Sequence, residues 1–257
     1  MLSRRGIIGL GAMLAGALAV SLLSACALAG DATPDYRYRL TVEVETPQGL
    51  RSGSSVIAVR QNMGRTAMTG FGKRIDRRAR GEAVTVDLPG GRTLYALLRS
   101  ENDADWASSV VQELAPRIEG EKWEETFDNV LLLEGAVTLP REWVHWHSAM
   151  DNRNAYPMLV TFADPADPAS VALVDPDDLA ATFGEGIRLK RLTVQLTDDP
   201  VTAGIEKRLG WWSERVAAGG GLVPWIRNDR GRYELAPGYK ENVSTVSVSD
   251  FSTEAFK

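Results

Sequence analysis

The two histidines of this chain stand at His145 and His147, with Trp146 between them. On an extended strand, residues two apart point the same way, so both imidazoles could reach one metal ion, with Glu142 or Asp151 as an oxygen ligand. Zinc sites use three or four protein ligands, and with two histidines and one distant cysteine the pair reads first as structural. Asp164, Asp167, Asp175, Asp177, Asp178, Asp198 and Asp199 form an acid-rich stretch that would suit calcium, but the spacing misses the twelve-residue calcium loop. The prolines Pro165, Pro168, Pro176 and Pro200 account for most of these acids as turn and cap residues. Glu124-Glu125 beside Trp123, and Glu142 beside Trp143, are neighbours of the kind a sugar cleft uses, and paired carboxylates are what cleave glycosidic bonds. Nothing in the sequence selects one pair over another. No G-x-S-x-G elbow is present, and Gly219-Gly220-Gly221 lacks the Lys-Ser/Thr of a phosphate loop. Among the seven tryptophans, Trp211 and Trp212 lie about 100° apart if both are helical, so they cannot both face a core. Trp212 fits the apolar stripe. Trp211 is then expected at the edge or surface as a candidate binding patch, or packed with Trp225 under the Gly219–Pro224 loop. No residue is assigned as catalytic and no cofactor is implied.

The lone cysteine, Cys26, rules out a disulfide within the chain, and its position is informative. Met1 to Arg5 is short and basic, and Gly6 to Gly30 follows without a charge. That run is long enough to span a bilayer, but its many Gly and Ala residues make it weakly hydrophobic. It closes with Leu23-Ser24-Ala25-Cys26, which resembles the lipobox of bacterial lipoproteins: an aliphatic residue, two small residues, then the cysteine that receives diacylglycerol. The resemblance implies cleavage between Ala25 and Cys26 and a lipid on the Cys26 sulfur; an uncleaved anchor is the rival reading. Two or more acyl chains hold a protein stably on a membrane, at about 0.8 kcal/mol per buried methylene. Ala27, in the place where an Asp retains enteric lipoproteins at the inner membrane, implies the outer membrane facing the periplasm. Ser3-Arg4-Arg5-Gly6-Ile7-Ile8 also resembles the twin-arginine export motif, with Arg4 and Arg5 as its pair; the alternative is the basic start of a general signal.

Behind these residues, the elements follow from hydrophobic periodicity. Residues 1–25 are read as signal, 26–35 as a lipidated tether, and 36–257 as one globular domain, with a candidate sub-division near 100–105. Ala27 to Asp35 is small, polar and aperiodic; about nine flexible residues reach roughly 15–18 Å. Tyr36, Tyr38, Leu40, Val42 and Val44 alternate with Arg37, Arg39, Thr41, Glu43 and Glu45, the pattern of a half-buried strand. Ser54–Arg60 is predicted to pair with it through a long connection, and Gln61–Gly81, Gly-rich and basic, to be mostly loop. Ala83–Leu88 and Arg92–Arg99 are strand candidates joined by Pro89-Gly90-Gly91. Further on, the spacing predicts a helix over Ala104–Leu114 capped by Asp103, strands at Asn129–Leu139, Pro157–Ala163 and Ile187–Leu196, and a short helix from Asp175-Pro176 to Phe183. It also predicts a helix from Asp199-Pro200 to Ala217, with the stripe Ile205, Leu209, Trp212 and Val216, and an edge strand at Val243–Val248. The class is α+β: antiparallel strands first, as sheet or sandwich, then mixed strands with two or three helices.

The precursor carries 34 acidic and 29 basic side chains. Removal of Arg4 and Arg5 leaves 27 basic against 34 acidic, a charge of about -7, so nucleic acid and anionic lipid have no electrostatic claim as partners. The stretches Tyr36–Val59 and Pro157–Trp212 resemble bacterial lipoproteins of unknown function, a resemblance that implies no activity. The function expected is that of a membrane-tethered periplasmic protein that binds an envelope protein or polysaccharide or supports the envelope. The alternative is an envelope hydrolase with a carboxylate-based site, which would show a deep pocket with convergent acids of perturbed pKa.

Overall fold

The alternating opening strand becomes the centre of a twisted antiparallel sheet. The structure is a computed structural model and describes residues 33–65, 73–143 and 154–255. Strand β1 (Tyr36–Thr46) pairs on one side with β2 (Gly49–Arg65) and on the other with β9 (Arg188–Leu196). Its burial alternates strictly, with Tyr36, Tyr38, Leu40, Val42 and Val44 inward. The β1–β2 connection is two residues long, not the long loop expected. Gly49 takes φ 105°, which a side chain resists, and the Thr46 hydroxyl accepts from the Gln48 N–H at 3.2 Å.

The stretch expected to be loop forms the end of β2 and a further strand, β3 (Lys73–Arg80), paired with β2 from Ala58↔Arg80 to Arg65↔Lys73. Ile75, Arg77 and Ala79 share the core-facing side of this strand, opposite Met63, Gln61 and Val59. Its solvent side is almost all arginine and masks the alternation. The first sheet runs β3-β2-β1-β9-β6, with β6 reduced to Val137–Thr138. The first four residues of the strand expected at Asn129–Leu139 belong instead to a 3-10 helix, Glu125–Leu132, which turns Phe127 and Val130 inward and leaves Leu131 and Leu132 exposed.

A second antiparallel sheet, β4 (Val84–Leu88), β5 (Arg92–Ala96), β7 (Leu159–Phe162) and β8 (Val171–Leu173), packs across the first. The two meet most closely at Gly53: a Cβ there would lie 1.9 Å from the Thr85 carbonyl oxygen. Val84, Val86, Leu94, Ala96, Leu98 and Leu159 join the inward residues of β1 and β2 in one core. Tyr95, Leu97, Met158, Val160 and Phe162 point the other way into a second core, closed by the carboxyl-terminal layer. Burial on both faces explains why Leu94–Leu98 reads as an unbroken apolar run and Pro157–Phe162 as one broken only by Thr161. The chain is therefore α+β, with N-terminal antiparallel strands first.

That terminal layer is shorter in helix than its sequence suggested. Asp178, not Asp175, caps α2 (Leu179–Phe183), its carboxylate accepting from the Ala181 N–H at 3.1 Å. Asp199 starts no helix; it pairs with Arg39 across the sheet edge. The long helix to Ala217 is a 3-10 turn, Ile205–Lys207, and then α3 (Trp212–Ala217), interrupted around Gly210. Beyond it, β10 (Trp225–Arg227) and β11 (Tyr233–Leu235) form a small exposed hairpin. Val243–Val248 is not an edge strand: a 3-10 turn, Glu241–Val243, leads through a short loop into α4 (Val248–Phe251), where the Asp250 carboxylate accepts from the Ser247 N–H at 2.8 Å. Among the described residues no helix is long and apolar enough to cross a membrane.

Candidate functional site

Helix α1 (Trp106–Leu114) lies over the open end of the first core, and the space between it and β3 is the candidate site. Two tyrosines fix its position. The Tyr38 hydroxyl donates to the Ala107 carbonyl at 2.7 Å and the Tyr36 hydroxyl to the Ser108 carbonyl at 3.5 Å. Burial pushes both phenols well above their ordinary pKa, with the Arg77 charge opposing it at Tyr36, so both stay neutral donors. The Trp106 indole N–H donates to the Ala155 carbonyl at 3.0 Å, tying the helix start to the strand entering the second sheet. Asp103 does not cap α1 directly. Its carboxylate accepts from the Asp105 N–H at 2.9 Å and the Ser109 hydroxyl at 3.0 Å, bracing the first turn.

Two cavities open along this helix. The larger, about 560 Å³, is lined by Arg77, Asn102, Asp103, Trp106, Glu113, Trp143 and Asn154, among others. The smaller, about 310 Å³, is lined by Ile75, Arg77, Gln112, Glu113, Trp123 and Phe127, among others. Arg77 and Glu113 belong to both, so the two are parts of one groove, with Trp106 and Trp143 lining one part and Trp123 the other. Trp123 is about half exposed and stands edge-on to Phe127, centroids 4.9 Å apart. Trp143 is half-buried against the first core. Asn154 is held by the Arg141 guanidinium at 2.6 Å and by the Tyr156 N–H at 3.0 Å, both on its oxygen, and its NH2 donates to no other group among the described residues. Arg141 is in turn held by Asp177 through two nitrogens, at 2.8 to 3.2 Å, and that guanidinium draws the Asp177 carboxyl below its usual range.

The acids that burial pushes upward lie elsewhere. Glu82 accepts from the Ile205 N–H at 2.8 Å, and Asp250 accepts from the Ser247 N–H at 2.8 Å. Both are structural hydrogen-bond acceptors: Glu82, between β3 and β4, fastens Ile205, and Asp250 holds the start of α4.

Of the residues singled out in the sequence, Arg4, Arg5, Ala25, Cys26, His145, His147 and Asp151 lie outside the described residues. Glu142 is exposed and bridges Asn154 through the backbone. The acid-rich stretch is spent on turns: Asp164, Asp167 and Asp175 each accept from the N–H two residues on. Among the described residues no three His, Cys, Asp or Glu are grouped to hold a metal ion. Trp211 is not a surface patch. It is 6% exposed and its indole donates to the Pro165 carbonyl at 3.1 Å. Because it precedes α3 instead of continuing a helix, the angular argument against burying both tryptophans lapses. Trp123 and Trp143, flagged beside acids, do reach the groove, whereas Arg77 went unrecognised because its strand read as loop. Trp106, Asn102 and Asn154 had no distinguishing signal. No family model, curated protein or solved structure matches this chain.

Proposed function

We propose that this protein is a lipoprotein of the bacterial cell envelope, cleaved after Ala25 and anchored through Cys26 to the periplasmic side of the outer membrane, whose domain binds an envelope polysaccharide in the groove along α1. The anchoring half rests on Leu23-Ser24-Ala25-Cys26, in which every position suits lipidation and cleavage. The observation that carries the binding half is the groove's composition: Trp143, Asn102 and Asn154 line one part, Trp123 lines the other, and Arg77 and Glu113 line both. Sugar rings offer apolar faces that pack on aromatic side chains, and hydroxyls that pair with planar amide, guanidinium and carboxylate groups. Binding without cleavage is favoured because Asp103 is engaged in bracing α1 and the acids raised by burial cap backbone groups outside the groove.

Two measurements test the halves separately. Cys26→Ser should abolish metabolic acyl labelling and release the protein from membranes; persistent labelling would end the anchor assignment. For the domain, residues 27–257 suffice, since both cores are built from residues 36–255. This fragment should co-sediment with purified cell-wall polysaccharide without shortening it, and Trp143→Ala should cut binding about tenfold. Release of soluble fragments from the polymer would instead favour a hydrolase.

A further inference from the structure

Arg77 is the feature of the groove that the fold does not account for. Between Ile75 and Ala79, it occupies a core-facing position of β3, opposite the buried Gln61. Arg77 is half-buried and lines an open cavity, so its guanidinium keeps some water and still has donors to offer an anion that enters. On the solvent side Arg74 pairs with Asp76 at 2.8 Å and Arg80 with Glu254 at 3.1 Å, while Arg78 stands exposed to water at the surface. Arg77 makes no ion pair among the described residues. The two carboxylates that share its cavity are turned to other tasks. Asp103 has both oxygens on α1, and Glu113 reaches Arg117 at 4.0 Å and has a further partner. What Arg77 does is line both cavities at their junction, and its charge is close enough to act on Tyr36.

We infer that Arg77 receives a carboxylate of the bound ligand, so that the groove selects an acidic polysaccharide, one whose sugars or their substituents carry carboxyl groups, over a neutral one. This rests on the groove being the polysaccharide site. A guanidinium presents two parallel N–H donors that match the two oxygens of a carboxylate, and the partly enclosed setting strengthens the pair relative to water. With the anion seated at Arg77, the flanking sugars reach toward Trp143 on one side and Trp123 on the other.

The experiment compares one polymer in two states: purified cell-wall polysaccharide, and the same material with its carboxylates capped as neutral amides. Binding of the 27–257 fragment is measured by co-sedimentation, with melting curves on every variant. The wild type should bind the capped polymer about 10- to 100-fold more weakly than the native one, the worth of a charged hydrogen-bonded pair. Arg77→Gln should bind both polymers equally, at the weak level, and Arg77→Lys should restore part of the preference. If the wild type binds both forms alike and Trp143→Ala still weakens binding, the groove reading stands and the role given to Arg77 is wrong. If the wild type binds neither form, the groove reading fails and takes this inference with it. Should Arg77→Gln melt like the wild type yet keep the full preference for native polymer, another residue holds the carboxylate and the assignment is overturned.

Discussion

The tryptophans of this protein meet two different fates on the two sides of the second sheet. In the carboxyl-terminal layer, Trp211 joins Tyr95, Phe162 and Phe251 in a cluster with ring centroids 5.4 to 6.4 Å apart, mostly tilted or edge-on. Beside α1, Trp106 spends its N–H on a backbone carbonyl, while Trp143 and Trp123 border open space with polar neighbours. Rings that gather several aromatic neighbours close a core; rings beside amides and charges line a cavity, even where one edge meets another ring, as Trp123 meets Phe127. The difference separates tryptophans that fill the interior from tryptophans that line an opening, although all are the same amino acid.

The sharpest break of that contrast is Trp211→Ala. It should cost about 3–5 kcal/mol, read from chemical denaturation, yet leave the polysaccharide affinity of the folded fraction unchanged. A loss of affinity with little loss of stability would reverse the roles given to the two sides. Gly53→Ala comes next. Its new Cβ would strike the Thr85 carbonyl, backbone against backbone, where the two sheets meet, so both regions should weaken together by about 1–3 kcal/mol. Trp143→Ala should cost only about 1 kcal/mol of stability while lowering affinity about tenfold.

The smallest effect is in pH. Burial raises Glu82 and Asp250 above their ordinary values, so their contribution is fully present below the unfolded carboxylate pKa and declines as pH rises through the raised ones. Asp177 is lowered by Arg141, so the support it lends to Asn154 in the groove wall is present above the unfolded value and is lost as pH falls through the folded one. Hydrogen exchange across the acid range should therefore show the carboxyl-terminal layer and the groove wall loosening at opposite ends of it. A parallel response of both would contradict these assignments.

How much of this was legible follows the same division. The opening strand was plain, because five apolar residues alternating with polar ones admit one face toward a core. Strands β4 and β5 were marked by the turn residues between them. Strand β3 was hidden: an edge strand whose outer face is arginine and whose inner face holds only Ile75 and Ala79 around Arg77 offers little hydrophobic alternation. The carboxyl-terminal layer misled for another reason. Ile205, Leu209, Trp212 and Val216 are spaced for one helix, but Gly210 interrupts it, and contacts with the second sheet hold the pieces at separate angles. The groove was half legible, through Trp123 and Trp143. Its central charge was not, since that depended on a strand the pattern did not reveal.

The entry of the chain into the fold has a mechanical side. Asp35 and Pro34 are fastened to Gln61 of β2 by two hydrogen bonds, at 3.0 and 2.9 Å, and the next residues run into β1, which is paired with β2 along its whole length and with β9 from Tyr38 to Glu45. Tension arriving along a tether at this point acts parallel to the strands and across their perpendicular hydrogen bonds. It loads many of those bonds in shear at once instead of peeling them one by one. A domain strung between a lipid and a rigid polymer would resist traction through that arrangement, and single-molecule stretching from residue 27 should meet a high rupture force, which Gln61→Ala leaves largely intact and a proline at Thr41 abolishes.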